Sequence, residues 1–185
     1  MEKEKQICFV IMGFGKKTDP TSGIILDLDK VYKNIIKPSV EKSEFKCVRA
    51  NEIEDSGLMD KSMYSLLMQA DLVIAYVTTN NANAIYELGV REAVRPYSTI
   101  ILNKKNGKTR FDVGENRMCM YSPLGEDLGD NETEQCQKKI IQLIKNVNKN
   151  RAIDSPLYEF IKEIKPIKLP KEYKQYLFSS WLNKK

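Results

Sequence analysis

The chain has 185 residues, of which 42% are hydrophobic and 30% charged, proportions typical of a globular domain and not of a disordered segment. It contains no histidine, which excludes Ser-His-Asp and Cys-His nucleophile pairs and histidine-based zinc sites. Any proton transfer or nucleophilic attack must therefore use carboxylates, amides, hydroxyls, lysine or arginine. The net charge of +5 is concentrated in 145–185, where ten Lys and Arg face four Asp and Glu, so nucleic acid is not an expected partner of the near-neutral remainder.

The sequence also favours a cytoplasmic location. No apolar run reaches the roughly 18 residues of a membrane helix, and the stretch "MEKEKQICFVIM" lacks the pattern of a signal peptide. The cysteines lie mostly within apolar patterns and show no C-x-x-C spacing: Cys8, Cys47, Cys119 and Cys136. We therefore expect reduced core thiols, no metal site and no contact with a membrane.

Apolar periodicity and turn residues predict strands that alternate with helices. In chain order these are a strand over 6–14, a loop "GKKTDPTSG", a helix over 25–43 that Pro38 kinks or ends, a strand over 45–50, a helix over 59–70, a strand over 71–78, a helix over 84–95, and strands over 98–103 and 116–122. A long helix with an apolar stripe through Cys136, Ile140 and Ile144 follows, and then two short helical candidates, 156–164 and 171–183.

This alternation predicts the α/β fold class, as a doubly wound parallel sheet of about five strands in a flavodoxin-like arrangement. The strands are almost continuously apolar, as parallel strands covered on both faces must be. We expect an α/β domain over 1–150 and a basic, helical C-terminal extension over 151–185.

The first candidate site is the loop that follows the first strand. It begins "GFGKK", and ligands of such folds bind where strands end and helices begin. Gly13 and Gly15 permit close backbone approach beside Phe14, while Lys16 could meet a phosphate. The pattern is neither G-x-G-x-x-G nor a P-loop, so a flexible solvated loop is an equal alternative.

The second candidate is "NNANAIYELGVREAV" (80–94), which follows the central strand. Glu87 could be only a carboxylate favoured by the helix dipole, or the partner of Arg91 in an i,i+4 ion pair. Its position next to Tyr86 instead suits a carboxylate that attacks an anomeric carbon. Asn81 and Asn83 can cap the helix or hold the hydroxyls of a sugar. Arg49, at the end of the second strand, is a candidate phosphate ligand or an ordinary surface arginine.

Three segments carry a family resemblance: "CFVIMGFG", the long block from "CVRANEIEDSG" to "NNANAIYELGVREAV", and "RFDVGENRMCMY". Over about 7–122 the chain resembles the nucleoside 2-deoxyribosyltransferase-like branch of the TIR-type α/β superfamily. It is most similar to the TIR-like, TRAFs-binding-type domain of animal stress-kinase kinases and bacterial conflict-system proteins. The resemblance implies that Glu87 matches the transferases' nucleophile, and the glutamate that supports NAD cleavage in TIR enzymes.

Two positions depart from the transferase pattern. Asn81 stands where those enzymes carry an aspartate, and their other base-handling aspartate falls near Ser62 or Met63. These departures favour a ribosyl hydrolase, or a nucleotide-binding domain without turnover, over an enzyme that transfers a 2-deoxyribosyl group.

The sequence thus predicts an enzyme that cleaves the N-glycosidic bond of a nucleotide or nucleoside. NAD is the first candidate and acts as substrate, with no separate cofactor. Catalysis is assigned to Glu87, Asn81 and Asn83, and substrate binding to Gly13, Phe14, Gly15, Lys16, Arg49 and Tyr86. The resemblance adds a homo-oligomer and a role in bacterial stress or anti-phage defence. The alternative is a catalytically silent nucleotide-sensing or scaffold domain, which joins a protein partner through 151–185.

Overall fold

The computed structural model describes residues 6–52, 59–105, 118–122, 129–150 and 152–168. The strands of this part are β1 (Ile7–Ile11), β2 (Lys16–Thr18), β3 (Ile25–Asp27), β4 (Lys46–Arg49), β5 (Leu72–Tyr76), β6 (Thr99–Lys104) and β7 (Met118–Tyr121). Five of them form one sheet in the order β4–β1–β5–β6–β7, and every neighbouring pair is parallel. The predicted five-stranded parallel α/β fold is confirmed.

Helices cover both faces of this sheet, which explains why its strands are apolar throughout. The helices are α1 (Leu28–Val31), α2 (Lys37–Lys42), α3 (Met59–Gln69), α4 (Ala82–Val94), α5 (Asp130–Lys149) and α6 (Pro156–Phe160). Alternate residues of the strands point to opposite faces of the sheet and so belong to two separate core layers. Val10, Ile74 and Leu102 pack with the helices of 28–42 and α5, whereas Phe9, Val73 and Ala75 pack with α3 and α4.

The predicted helix over 25–43 begins three residues later than expected, because Ile25–Asp27 forms β3. The side chain of Asp27 accepts hydrogen bonds from the backbone N–H groups of Asp29 and Lys30 and so caps α1. Between α1 and α2 the helix widens into a π turn, Tyr32–Ile36. This turn ends just before Pro38, which has no N–H to donate, so the helix accommodates the proline by widening and continues to Lys42.

The segment predicted as a loop after β1 is instead an antiparallel hairpin of β2 and β3. Its turn is organised by Asp19, whose side chain accepts hydrogen bonds from the Thr21 N–H and the Ser22 hydroxyl. The buried carboxylate also forms an ion pair with Lys104 at the end of β6. Because β2 is exposed along its whole length, the strand has no alternating apolar pattern that the sequence could show.

The described part of the C-terminal extension packs against α4. The Ser155 hydroxyl donates to the Glu92 carbonyl at 2.7 Å, and the Tyr158 hydroxyl donates to the Ala93 carbonyl at 3.0 Å. Helix α6 is shorter than the predicted 156–164, and the candidate helix 171–183 lies outside the described residues. The division of the chain at residue 150 stays a prediction.

All four cysteines are buried and unpaired, as expected. Among the described residues, no helix combines the length and the apolar composition that crossing a bilayer requires.

Candidate functional site

The strand order places a crevice between β1 and β5. The chain passes from β1 to β4 on one side, and later from β5 to β6 on the other, so the connections leave the carboxyl ends of β1 and β5 in opposite directions. Ligands of open parallel sheets bind at such a switch point. The two candidate stretches of the sequence, the loop beginning at Gly13 and the entry into α4, follow these two strands.

Gly13 and Asn81 lie in contact at this crevice. A β-carbon built on Gly13 would stand 3.1 Å from the Asn81 side-chain nitrogen and 3.1 Å from a methyl carbon of Leu28. An alanine here would therefore require both side chains to shift by a few tenths of an ångström. The structure therefore brings together two of the predicted site residues, from the ends of β1 and β5.

Asn81 is the N-cap of α4. Its side-chain oxygen accepts a hydrogen bond from the Ala84 N–H at 3.0 Å, which leaves its amide N–H groups as the donors that can serve a ligand. Asn83 lies in the first turn of the helix and is exposed. Helix capping alone is enough to account for an asparagine at position 81. Asn83 does not cap the helix, and its amide is exposed to solvent.

Glu87 lies in the second turn of α4 and is half-buried. Burial raises the pKa of its carboxyl to about 7. Burial is the only cause of this shift, so no cation or hydrogen-bond donor among the described residues offsets the desolvation. The carboxyl can therefore change its charge near neutral pH, as a general acid, base or nucleophile must.

Arg91 does not pair with Glu87, although the two are four residues apart on one helix. Its guanidinium is fully buried and donates to the carbonyls of Leu67 (2.8 Å) and Ala70 (3.2 Å) at the end of α3. It also donates to the Ser98 carbonyl at 3.3 Å. Burial lowers the pKa of Arg91 to about 9. The surface ion pair that would have explained Glu87 as an ordinary helix residue is thus absent.

Arg49 is buried beneath the loop after β1, with 2% of its surface exposed. One terminal nitrogen donates to Asp29 at 2.7 Å and the other to the Gly13 carbonyl. The guanidinium carbon lies 4.3 Å from the centre of the Phe14 ring. A direct contact of Arg49 with phosphate stays a prediction, but the group is already engaged within the protein.

The other predicted binding residues lie along the same edge. Phe14 is 41% exposed, and Gly15 has a φ of 65°, a left-handed conformation that suits glycine. Lys16 is exposed and belongs to β2, where it pairs in register with Asp27. The loop thus presents the Phe14 ring and Lys16 to solvent next to the crevice.

Tyr86 lies on a groove of about 540 Å³ between the hairpin and the start of α4. The groove is lined by neutral side chains: Thr18, Pro20, Thr79, Asn80, Ala82, Ile85 and Tyr86. The Tyr86 hydroxyl is 3.0 Å from that of Tyr64 on α3. Glu87 does not line this groove. Tyr86 and Glu87 therefore lie on different sides of α4.

Sequence reasoning missed a buried polar cluster at the carboxyl ends of β5, β6 and β7. The hydroxyls of Tyr76 and Tyr121 lie 2.6 Å apart, and the Asp19–Lys104 pair connects the hairpin to β6. Burial raises the pKa of Asp19, but hydrogen bonds from Lys104, Ser22 and the Thr21 N–H together hold it below its ordinary value. The one available signal was a lysine that continues the apolar run "TIILNK".

Comparison with models of known protein families and with curated proteins finds no match to this chain. In the part of the chain that the structure describes, no three His, Cys, Asp or Glu side chains come together as metal ligands would.

Proposed function

We propose that this protein cleaves the N-glycosidic bond of a nucleotide or nucleoside, with NAD as the first substrate to test. The observation that carries this proposal is the Glu87 carboxyl. It is half-buried, has a pKa of about 7 and is not paired with Arg91, on a helix that follows the central strand at the switch point. A desolvated carboxylate in that position is suited to a cationic, oxocarbenium-like transition state.

In the proposed reaction, the ionised Glu87 carboxylate attacks or stabilises the anomeric carbon. The bond from that carbon to the base nitrogen breaks, and the electron pair leaves with the base. Water or another acceptor then takes the sugar. The Asn81 amide N–H groups and Asn83 orient sugar hydroxyls, while Phe14, Gly15 and Lys16 line the substrate path at the end of β1.

The resemblance of "ADLVIAYVT" and "NNANAIYELGVR" to deoxyribosyltransferase-like and TIR-like domains supports this assignment. On the same basis, we propose a cytoplasmic homo-oligomer that acts in bacterial stress or anti-phage defence. It needs no cofactor besides its substrate, and a protein partner binds through 151–185.

The test is turnover of NAD, nucleosides and nucleoside phosphates by the purified full-length protein. Glu87→Gln should lower kcat by about 1,000-fold or more, because an amide can neither attack nor carry the negative charge. Glu92→Gln is the matched control. Glu92 is a second half-buried carboxyl on α4 whose pKa burial raises to about 7, and we assign it no catalytic role.

Equal loss of activity in both variants would show that the effect is structural and would contradict the role of Glu87. If no substrate turns over but nucleotides bind and shift the melting temperature, the enzyme proposal fails. The sensing alternative, in which the same crevice binds a nucleotide without cleaving it, then replaces it.

A further inference from the structure

We propose that Arg49 is a positioning residue: it holds the loop after β1 against Asn81, the N-cap of α4, and it does not bind phosphate. This inference deepens the proposed function and rests on it for its kinetic part. Its structural part stands on the contacts of Arg49 alone.

The guanidinium of Arg49 joins three parts of the chain that are distant in sequence. From the end of β4 it donates to the Gly13 carbonyl, 36 residues away, and to the Asp29 carboxylate in the first turn of α1, 20 residues away. Its central carbon lies 4.3 Å from the Phe14 ring centre and 5.1 Å from that of Tyr32. Arginine is suited to this place because its planar fork bonds in two directions while its face stacks on rings.

Gly13 connects Arg49 to the start of α4. Arg49 holds the Gly13 carbonyl, Gly13 packs against the Asn81 side chain, and Asn81 caps the helix that carries Glu87. The first and last links are hydrogen bonds, and the middle one is a close approach, in which a β-carbon on Gly13 would stand 3.1 Å from the Asn81 side-chain nitrogen. The position of the loop relative to the start of α4 therefore depends on Arg49, because Arg49 holds the Gly13 carbonyl.

The same geometry argues against a phosphate contact. With 2% of its surface exposed, Arg49 offers a phosphate little access: two of its five N–H groups already donate to Asp29 and Gly13, and the Nε N–H is buried. Asp29 also competes with any anion, since the guanidinium holds the pKa of that carboxyl below its ordinary value and keeps it ionised.

The kinetic test compares Arg49→Lys on a nucleotide and on the corresponding nucleoside. Lysine keeps the charge but loses the planar fork, so the loop shifts while a point charge remains for a phosphate. We expect kcat to fall about 10- to 100-fold for both substrates, within about threefold of each other, because small misplacements near reacting atoms carry such losses. A rise in KM confined to the nucleotide would overturn the proposal.

The structural test needs no turnover and uses amide hydrogen exchange of residues 12–16 in the free, full-length protein. The Asp29 carboxylate also accepts a hydrogen bond from the Gly15 N–H, so Asp29→Asn changes exchange at Gly15 directly, and the test is read at residues 12–14. There Arg49→Lys and Asp29→Asn should each speed exchange, and the double variant should exchange little faster than the faster single variant, because both changes break the ion pair of Arg49 with Asp29. Lys33→Gln is the control, since it removes a nearby positive charge that is exposed and should leave exchange of the loop unchanged.

Unchanged exchange in Arg49→Lys would overturn the proposal even if the protein is active. Faster exchange without turnover of any substrate would support it, while the proposed function fails separately. If Arg49→Lys does not fold, Asp29→Asn, at a partly exposed position, decides by itself. Faster exchange at residues 12–14, which exclude the Gly15 amide that Asp29 holds directly, supports the proposal, and exchange equal to the parent contradicts it.

Discussion

Burial of the Glu87 carboxyl sets its chemistry at the scale of a single residue. Helix geometry puts Glu87 and Arg91 within reach of each other, but Arg91 turns inward to the carbonyls at the end of α3 and the start of β6. A surface ion pair of this kind contributes at most about 1 kcal/mol. Four backbone carbonyls and the Thr99 hydroxyl accept hydrogen bonds from this guanidinium in the interior, so Arg91 is held there and does not pair with Glu87.

The raised pKa of Glu87 predicts how activity depends on pH. The proposed mechanism uses the ionised carboxylate, which is protonated below its pKa of about 7. We therefore expect kcat/KM to rise with pH, to reach half its maximum near pH 7 and to level off above about pH 8. Initial rates at saturating and limiting substrate from pH 5 to 9 measure this. A rate that stays flat or falls as the pH rises would contradict a carboxylate nucleophile.

The same pKa has a readout that does not depend on activity. A glutamate has a pKa of about 4.3 in the unfolded chain, so the folded protein binds this proton more tightly than the unfolded one. Ionisation of Glu87 therefore lowers stability as the pH rises from about 4 through 7. The free energy of unfolding of Glu87→Gln minus that of the parent, measured by urea unfolding, should therefore be more positive at pH 8 than at pH 5. An equal difference at the two pH values would show that burial does not raise the pKa.

At the scale of elements, the crevice depends on how closely the β1 loop approaches the start of α4. Gly13 makes that approach possible, since a β-carbon there would meet both Asn81 and Leu28 at 3.1 Å. The hairpin of β2 and β3 continues the loop and is held at its far end by the buried Asp19–Lys104 pair. The loop is thus attached at both ends, by Arg49 at Gly13 and by Lys104 at Asp19.

Two glycine substitutions test this close approach. Gly13→Ala should lower the free energy of unfolding by about 1–3 kcal/mol, because Leu28 is fully buried and must shift. Gly89→Ala is the matched change within α4, where a β-carbon meets nothing within 4 Å, and it should raise the free energy of unfolding by about 0.5–1 kcal/mol. Urea unfolding of both variants measures the difference. If both prove stabilising, the contact of Gly13 with Asn81 is not as close as the structure has it.

At the scale of the whole molecule, the described part of the extension completes the domain instead of standing apart from it. Ser155 is fully buried and Tyr158 is 5% exposed, and both donate to carbonyls in the last turns of α4. The backbone N–H of Asp154 donates to the Pro96 carbonyl at 2.8 Å. The bonds from Ser155 and Tyr158 satisfy two of the carbonyls that a helix leaves open at its C-terminus. The helix that bears Glu87 is thus held at its start by the β1 loop and at its end by 154–158.

Tyr158→Phe tests the attachment of the extension. Removal of the hydroxyl leaves the Ala93 carbonyl without this donor and should lower the free energy of unfolding by about 1 kcal/mol. Phe160→Ser, two residues later in α6, changes a side chain that is 81% exposed and should stay within about 0.5 kcal/mol of the parent. Thermal or urea unfolding distinguishes the two. Equal effects would mean that α6 does not dock on α4 through Tyr158.

The sequence by itself determined the order and kind of the main elements. The apolar runs of β1, β5 and β6 and the stripes of α3, α4 and α5 are local patterns, and each predicts its element wherever it occurs in a chain. From them follow the parallel sheet and the edge at which Gly13 and Asn81 lie close together, with Glu87 on the helix that Asn81 caps. Where local pattern was lacking, as in the exposed strand β2, the prediction of a loop was wrong.

Only the tertiary structure decided which side chains of that edge are available for chemistry. Arg91 is taken up by the carbonyls of α3 and β6, and Arg49 by Gly13 and Asp29, while Lys104 meets Asp19 across 85 residues of chain. Such partners are distant in sequence and are selected by burial, which makes an unmatched charge costly and a matched one fixed. For that reason the sequence could nominate Glu87, but its freedom from Arg91 and its raised pKa depend on the packed fold.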